Sequence, residues 1–257
     1  MAWLIYVFFW NDDDVAMTPV NTVATTTAAT SSVEQAMSIT DPVTVTPISH
    51  ATMVLKWNDL IILTDPVGDV AQYVNVKPDI ILITDIHTDH LSTSTLKAVM
   101  GNAAIIVPQA VEDRLPKEIA DRTEVMKNNE RKDVKGFSIM ATPMYNLPES
   151  ADSRHTKGRG NGYVLEKESY RVYIAGDTSG TPEMRALTDI DIAFVPMNLP
   201  YTMSVEDAAE AVKAFHPAKV YPYHYRGESG FSDVNRFKTL VEEANVGTKV
   251  ILLNWYP

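Results

Sequence analysis

The chain has 257 residues, 45% of them hydrophobic and 21% charged, which is enough length and apolar content for one substantial buried core. Its formal net charge of −11, with no long run of Lys or Arg, argues against a duplex nucleic acid partner, because neutralising phosphates needs clustered cations. Cysteine is absent, which excludes disulfides and thiolate metal ligands.

Residues 2–10 are almost wholly apolar, but the stretch falls short of the ~20 residues a membrane helix needs, so no transmembrane segment is expected. It lacks the basic start of a secretory signal and runs into Asp12, Asp13 and Asp14. From Val15 to Thr40 the chain is rich in Thr, Ala and Ser with little periodicity, the pattern of an extended arm. Residues 1–42 are therefore read as an apolar segment with a Thr/Ala-rich arm, and residues 43–257 as the folded domain. Trp3, Tyr6, Phe8, Phe9 and Trp10 need cover, and a second copy of the chain would supply it, so the arm is expected to serve a homo-oligomer. The apolar start and the lack of thiols lean toward an exported or periplasmic location over a cytoplasmic one.

After Val43 the pattern turns to strands, at Val43–Ile48, Met53–Trp57, Leu60–Leu63 and Ile80–Ile83, with a hairpin turn at Asn58-Asp59. Further strands are expected at Ala104–Val107, Phe137–Ala141, Gly162–Leu165, Arg171–Ile174, Ile192–Val195, Lys219–Tyr221 and Lys249–Leu253. Helices separate several of them. Ser92 or Thr93 caps one that carries Leu96, Val99 and Met100. Ser204-Val205-Glu206-Asp207 has the form of a capping box, with Val205, Ala208, Ala209, Val212 and Phe215 at helical spacing after it. Ser232 caps a third, whose buried face is Val234, Phe237, Leu240, Val241 and Ala244. Early hairpins followed by alternating strands and helices make this an α/β protein.

The segment Asp85-Ile86-His87-Thr88-Asp89-His90 follows the apolar run Ile80–Ile83 and packs two imidazoles and two carboxylates where a buried strand surfaces. Unpaired charge at the edge of a core carries a desolvation penalty, which a divalent cation removes. If the segment stays extended past Thr84, alternation puts Asp85, His87 and Asp89 on one side, and a turn at Thr88-Asp89 brings His90 toward a second cation. A helix N-terminus is the competing account of Asp89, but it explains neither histidine. Nitrogen and carboxylate donors suit zinc, and manganese or iron can use them too.

The chain has six histidines. His155 and His224 lie beside strand-like runs, and Asp177 ends one in Gly176-Asp177-Thr178. In that order, Asp85 to His90, His155, Asp177 and His224 resemble the metallo-β-lactamase superfamily, with its His-x-His-x-Asp-His signature. Met197–Met203 and Tyr221–Tyr225 look closest to the branch of the ascorbate-phosphate lactonases. The resemblance covers about Val43 to the C-terminus and implies a four-layer αββα sandwich, so that 43–257 is the catalytic domain. It also implies two divalent metal ions: one held by Asp85, His87 and His155, a second by Asp89, His90 and His224, and Asp177 bridging both. One departure stands out, since Asp85 occupies the signature's first histidine position. The added anion lowers the Lewis acidity of the site and favours a harder cation.

The expected activity is a metal-dependent hydrolase acting on a small ester or lactone, with a β-lactam within reach of the same chemistry. Asp89 and Asp177 are its candidate catalytic carboxylates. The alternatives are a phosphodiesterase for a lipid or nucleotide substrate and a metal-binding module without turnover. Arg154, Lys157 and Arg159 flank His155 and could draw an anionic substrate. Arg154, Lys157, Tyr201, Tyr225 and Arg226 are the candidate contacts for a small-molecule substrate. His50 reads as a local hydrogen-bonding residue or a support to the metal ligands.

Overall fold

The computed structural model describes residues 41–257, so the expected arm and its oligomer contact, at residues 1–40, lie outside the described residues. Asp41 and Pro42, placed with the arm on sequence, are tied to the domain. Tyr170 Oη donates to Asp41 Oδ1 at 2.5 Å, and Asn58 N donates to the carbonyl of Pro42 at 3.1 Å.

One sheet has six strands in chain order: β1 (Val43–Ser49), β2 (Thr52–Trp57), β3 (Leu60–Thr64), β4 (Ile80–Leu82), β5 (Ala104–Val107) and β6 (Thr123–Val125). The first three pair antiparallel through tight turns, and the rest add parallel through longer connections. The short helices α1 (Thr93–Val99), α2 (Gln109–Glu112) and α3 (Lys117–Ala120) lie in those connections. Ser92 caps α1, its hydroxyl accepting from Thr95 N.

The second sheet collects β7 (Arg131–Val134), β8 (Phe137–Met144), β9 (Gly160–Lys167), β10 (Tyr170–Ile174), β11 (Ile192–Pro196) and β12 (Lys219–Tyr223). Two short strands, β13 (Arg226–Gly227) and β14 (Gly230–Phe231), make a separate hairpin, and β15 (Lys249–Val250) closes the second sheet beside β12. Strands β10, β11, β12 and β15 run parallel. Alongside them come α4 (Pro182–Arg185), α5 (Val205–Phe215) and α6 (Val234–Glu242). Ser204 caps α5 as expected, but α6 is capped by Asp233, whose carboxylate accepts from Asn235 N and Arg236 N. Ser232, expected in that role, instead donates to the carbonyl of Met197. The last strand stops at Val250, short of the expected Leu253, because the chain leaves the sheet edge and places Trp255 against Tyr223 and Phe194.

Three apolar clusters alternate with these elements and define the layers. The central one takes Leu55, Trp57, Ile62, Ile80 and Leu82 from the first sheet and Phe137, Leu165, Val172, Phe194 and Tyr223 from the second. A second cluster joins the outer face of the second sheet to Ala208, Val212 and Phe215 of α5 and Phe237 of α6. The third joins Ile81, Ile83 and Ile105 to Leu96, Val111 and Ile119 of α1 to α3. The arrangement is the expected α/β architecture, a four-layer αββα sandwich. Adjacent residues of β4 serve different clusters, Ile80 and Leu82 inward and Ile81 outward, which is why an interior parallel strand reads as a continuous apolar run.

Trp57 is 1% exposed and meets Phe137 edge-on across the two sheets at 4.9 Å between ring centroids. Replacing it with Ala (Trp57→Ala) is expected to lower the unfolding free energy by about 3–5 kcal/mol. The neighbouring exposed Lys56→Ala is expected to stay within about 0.5 kcal/mol of the parent. Urea titration followed by tryptophan-independent circular dichroism measures both.

Candidate metal centre

One edge of the sandwich collects the chemistry, because the chain leaves the carboxyl ends of parallel strands there. Asp65 follows β3, Asp85 to His90 follow β4, Asp177 follows β10, Asn198 follows β11 and His224 follows β12. His155 comes from the connection between β8 and β9. Strand ends in such sheets present loop residues where backbone pairing stops, which leaves side chains free to converge.

The chain does not stay extended past Thr84. It turns at His87, whose carbonyl accepts from His90 N at 2.9 Å and Leu91 N at 2.8 Å. That turn separates Asp89 from Asp85 and His87, against the strand-alternation reading. It produces two clusters, Asp85 with His87 and His155, and Asp89 with His90 and His224, the donor atoms in each lying within 4.8 Å of one another. Between them stands Asp177. Its Oδ2 is 3.2 Å from His155 Nε2 and 3.3 Å from His90 Nε2, and its Oδ1 is 3.4 Å from His224 Nε2. All seven residues named from the sequence are thus brought together.

The donor set fits a pair of divalent cations on the evidence of its own unmet contacts. His155 Nε2 and Asp177 Oδ1 are buried and make no hydrogen bond of acceptable direction. His224 Nε2 lies 3.2 Å from His90 Nε2 and 3.3 Å from Asp89 Oδ2. Buried polar atoms without partners are costly, and convergent imidazole and carboxylate atoms are the ordinary ligands of zinc and its neighbours.

Electrostatics explains how so many titratable groups share a buried edge. Burial opposes ionisation of Asp177, but His224 and His90 outweigh it and hold its pKa well below the usual carboxylate range. Burial likewise opposes a charged His90, and Asp177 and Asp65 reverse that, raising its pKa well above the ordinary value. Asp89 is also lowered, burial being outweighed by the hydrogen bond to His224 and the charge of His90. Asp85 follows the same rule: burial is overcome by the hydrogen bond from His87, then by His90, His87 and Arg159.

Contacts behind the clusters fix the ring orientations. Asp65 is fully buried and accepts from His90 Nδ1 at 2.9 Å, Thr84 Oγ1 at 2.7 Å and Thr84 N at 2.8 Å, so His90 presents Nε2 to the centre. Asn146 Oδ1 does the same for His155, taking its backbone N–H at 2.9 Å and lying 3.1 Å from Nδ1. Asp85 receives Arg159 on both oxygens, Nε at 3.3 Å and Nη2 at 3.1 Å, and lies 2.6 Å from His87 Nδ1. Asp65, His50 and His224 have left-handed backbones, with φ of 46°, 50° and 45°. Such conformations are uncommon outside glycine, although Asp and His enter them more readily than most residues, and they persist where the surroundings over-determine them. For His224 one such restraint is the hydrogen bond from its N–H to the carbonyl of His50.

Over the clusters opens a cavity of about 310 Å³ lined by His50, His87, Asp89, Arg154, Asp177, Asn198, Tyr201, His224 and Arg226, among others. Three of the expected substrate contacts, Arg154, Tyr201 and Arg226, are there. Two are not. Lys157 is drawn away by Glu183 at 2.9 Å and Glu149 at 3.2 Å, over the ring of Tyr145. Tyr225 is partly buried and packs its ring on Tyr256 and Phe231. A larger hollow of about 530 Å³, among Tyr73, Lys77, Asp79 and Val99, lies at the opposite end of β4 and touches none of the seven clustered residues.

Sequence reasoning missed Asp65, Asn146 and Asn198, and it did not join Arg159 to Asp85. Asp65 carried a usable signal, an acid directly after the apolar run of β3, the same logic that singles out Asp85. The others carry none that spacing could reveal.

Residues 44–224 match the beta-lactamase superfamily domain. A UPF0173 metal-dependent hydrolase of Thermococcus onnurineus is 30% identical over 184 residues, covering 70% of this chain and 81% of its own. Among solved structures, a candidate metal-dependent hydrolase of Parabacteroides distasonis superimposes with a TM-score of 0.72 at 37% identity, covering 82% of this chain and 92% of that one. Igni18, a metallo hydrolase of Ignicoccus hospitalis, shares the fold with a TM-score of 0.70 at 24% identity, over 82% and 95% of the two chains. With two histidine–aspartate clusters at the edge of an αββα sandwich, the chain belongs to the metallo-β-lactamase superfamily and is a metal-dependent hydrolase of that fold.

Proposed function

We propose that Asp85, His87 and His155 hold one divalent cation, Asp89, His90 and His224 a second, and Asp177 both, and that the protein hydrolyses a small ester or lactone. The observation that carries this reading is the position of Asp177, one carboxylate within 3.4 Å of three imidazoles drawn from both clusters. Zinc is the first choice for mixed nitrogen and carboxylate donors, with manganese and iron as the other candidates. Arg159 bears on that choice, because its guanidinium offsets the anion that Asp85 adds where the family signature has histidine. Bound there, a pair of such ions would supply Lewis acidity and a water-derived nucleophile at neutral pH.

The protein's own groups do the rest. Asp89 is 38% exposed on its side chain and lines the cavity, which supports a role in orienting an attacking water. Asp177 is buried and sets the spacing between the clusters. The cavity, near the lower end of the roughly 300–1,000 Å³ range of ligand sites, suits a small molecule. Arg154, Tyr201 and Arg226 line that cavity, which supports them as its substrate contacts. The lactonase-like reading of the sequence belongs to this proposal, and a β-lactam is a strained amide open to the same attack.

A panel of chromogenic esters, lactones, phosphodiesters and a cephalosporin, run with zinc and with manganese, tests the substrate class. Turnover is expected on the esters and lactones, and full activity of metal-free protein would refute the reading. His87→Ala and Asp177→Asn are each expected to lose bound metal, measured by elemental analysis, together with turnover. Asp65→Asn leaves the ligands in place but weakens the acceptor that orients His90. Its metal affinity, read by competition with a chromophoric chelator, is expected to fall roughly 10–100-fold.

A further inference from the structure

The basic residues near the centre sort into two kinds. Lys157 and Arg159 are paired with acids, Lys157 with Glu149 and Glu183 and Arg159 with Asp85. Arg154 and Arg226 are not: among the described residues neither forms an ion pair, although the chain as a whole carries a net charge of −11. Both line the cavity that opens over Asp89, Asp177 and His224. Glu228 lies on the same rim, two positions along from Arg226, and pairs with neither.

Each guanidinium is held by an aromatic ring. Arg154 Cζ sits 4.5 Å from the centroid of Tyr201, and Arg226 Cζ sits 5.1 Å from that of Tyr256. Arg226 also donates through Nη2 to His50 Nε2, and its backbone N–H donates to Tyr256 Oη at 3.1 Å. Stacking and hydrogen bonding restrict side chains that are otherwise rich in rotamers, so less freedom is lost when a ligand arrives. A third donor belongs to Asn198, which is 2% exposed and lines the same cavity. Its carboxamide oxygen accepts from Thr202 Oγ1 at 2.6 Å, which leaves the amide NH₂ with no protein acceptor among the described residues.

We infer that Arg154, Arg226 and Asn198 form an oxyanion-binding subsite beside the metal centre, and that the substrate is a small ester or lactone carrying a carboxylate or phosphate group. Its location rests on the proposed hydrolase reading, but the donors do not. With the Asn198 oxygen engaged by Thr202, the three residues offer N–H groups to a cavity lined also by His87, Asp89, Asp177 and His224 of the ligand clusters and, on its rim, by Glu228. A substrate gripped at its anionic end by the guanidiniums is thereby oriented with its acyl end toward Asp89 and Asp177. Guanidinium groups match the planar, paired oxygens of carboxylate and phosphate, which makes neutral esters the poorer substrates.

The test is calorimetric titration of zinc-loaded full-length protein with inorganic phosphate and, separately, acetate, beside Arg154→Gln, Arg226→Gln and Lys157→Gln at verified zinc content. Each arginine variant is expected to bind phosphate roughly 10–100-fold more weakly, the loss of a charge-assisted hydrogen bond. Lys157→Gln is expected to bind as the parent does. Equal affinity in parent and both arginine variants would overturn the subsite, since the cations alone would then hold the anion, and so would a parent that binds neither anion. Acetate held as tightly as phosphate assigns a carboxylate-bearing substrate, and phosphate held at least tenfold more tightly assigns a phosphate-bearing one. The hydrolase reading is judged separately, by turnover of neutral and of carboxylate- and phosphate-bearing esters and lactones on the zinc-loaded parent protein. Its failure there, with phosphate binding lost in the arginine variants, would remove the hydrolysis and leave the subsite standing.

Discussion

The structure turns on one buried carboxylate. Asp177 lies at the end of β10 in the second sheet, yet its oxygens approach His90 from the first sheet, His155 from the β8–β9 connection and His224 from the end of β12. An ionised group with so little water around it survives only where positive charge or metal compensates it. The three imidazoles answer that requirement from separate parts of the chain, so the sandwich must bring both sheet edges into register before Asp177 is satisfied. Strand order and parallel direction matter to function for this reason, since they place β4, β10 and β12 with their carboxyl ends on one side.

Around that carboxylate the protein spends its polar contacts on orientation. Asp65 and Asn146 each take the outer nitrogen side of a histidine, and both are themselves fixed, Asp65 by the hydroxyl and N–H of Thr84, Asn146 by the backbone of His155. Neither residue lines the cavity over the clusters. They decide which ring nitrogen faces the centre, and left-handed backbones at Asp65 and His224 show that the fold tolerates local strain to achieve it.

Legibility in the sequence divided along a physical line. Local features were readable: β4 as an apolar run, the Ser92 and Ser204 caps, the hairpin at Asn58-Asp59, and the crowding of Asp85 to His90. His155, Asp177 and His224 could be assembled with them only through the order of a family signature, because no spacing rule links a loop after one strand to a turn after another. The four layers were likewise implied by resemblance and not by periodicity. Pairings across long separations were invisible. Asp65 meets His90 25 positions on, and Lys157 was a plausible substrate contact until Glu183 claimed it. Tyr225 failed for a related reason, since an aromatic residue one position from a cavity-lining one can as well face a neighbouring ring.

Arg159 grips both oxygens of Asp85 from 74 positions away. Put a histidine at position 85 and that guanidinium loses its only acid among the described residues and meets an imidazole instead; put a neutral residue at 159 and a fully buried carboxylate keeps only imidazoles beside it, His87 at 2.6 Å and His155 at 3.8 Å. Either swap shifts the formal charge around the first cluster by one unit, so the acid at 85 and the guanidinium at 159 offset each other as a pair.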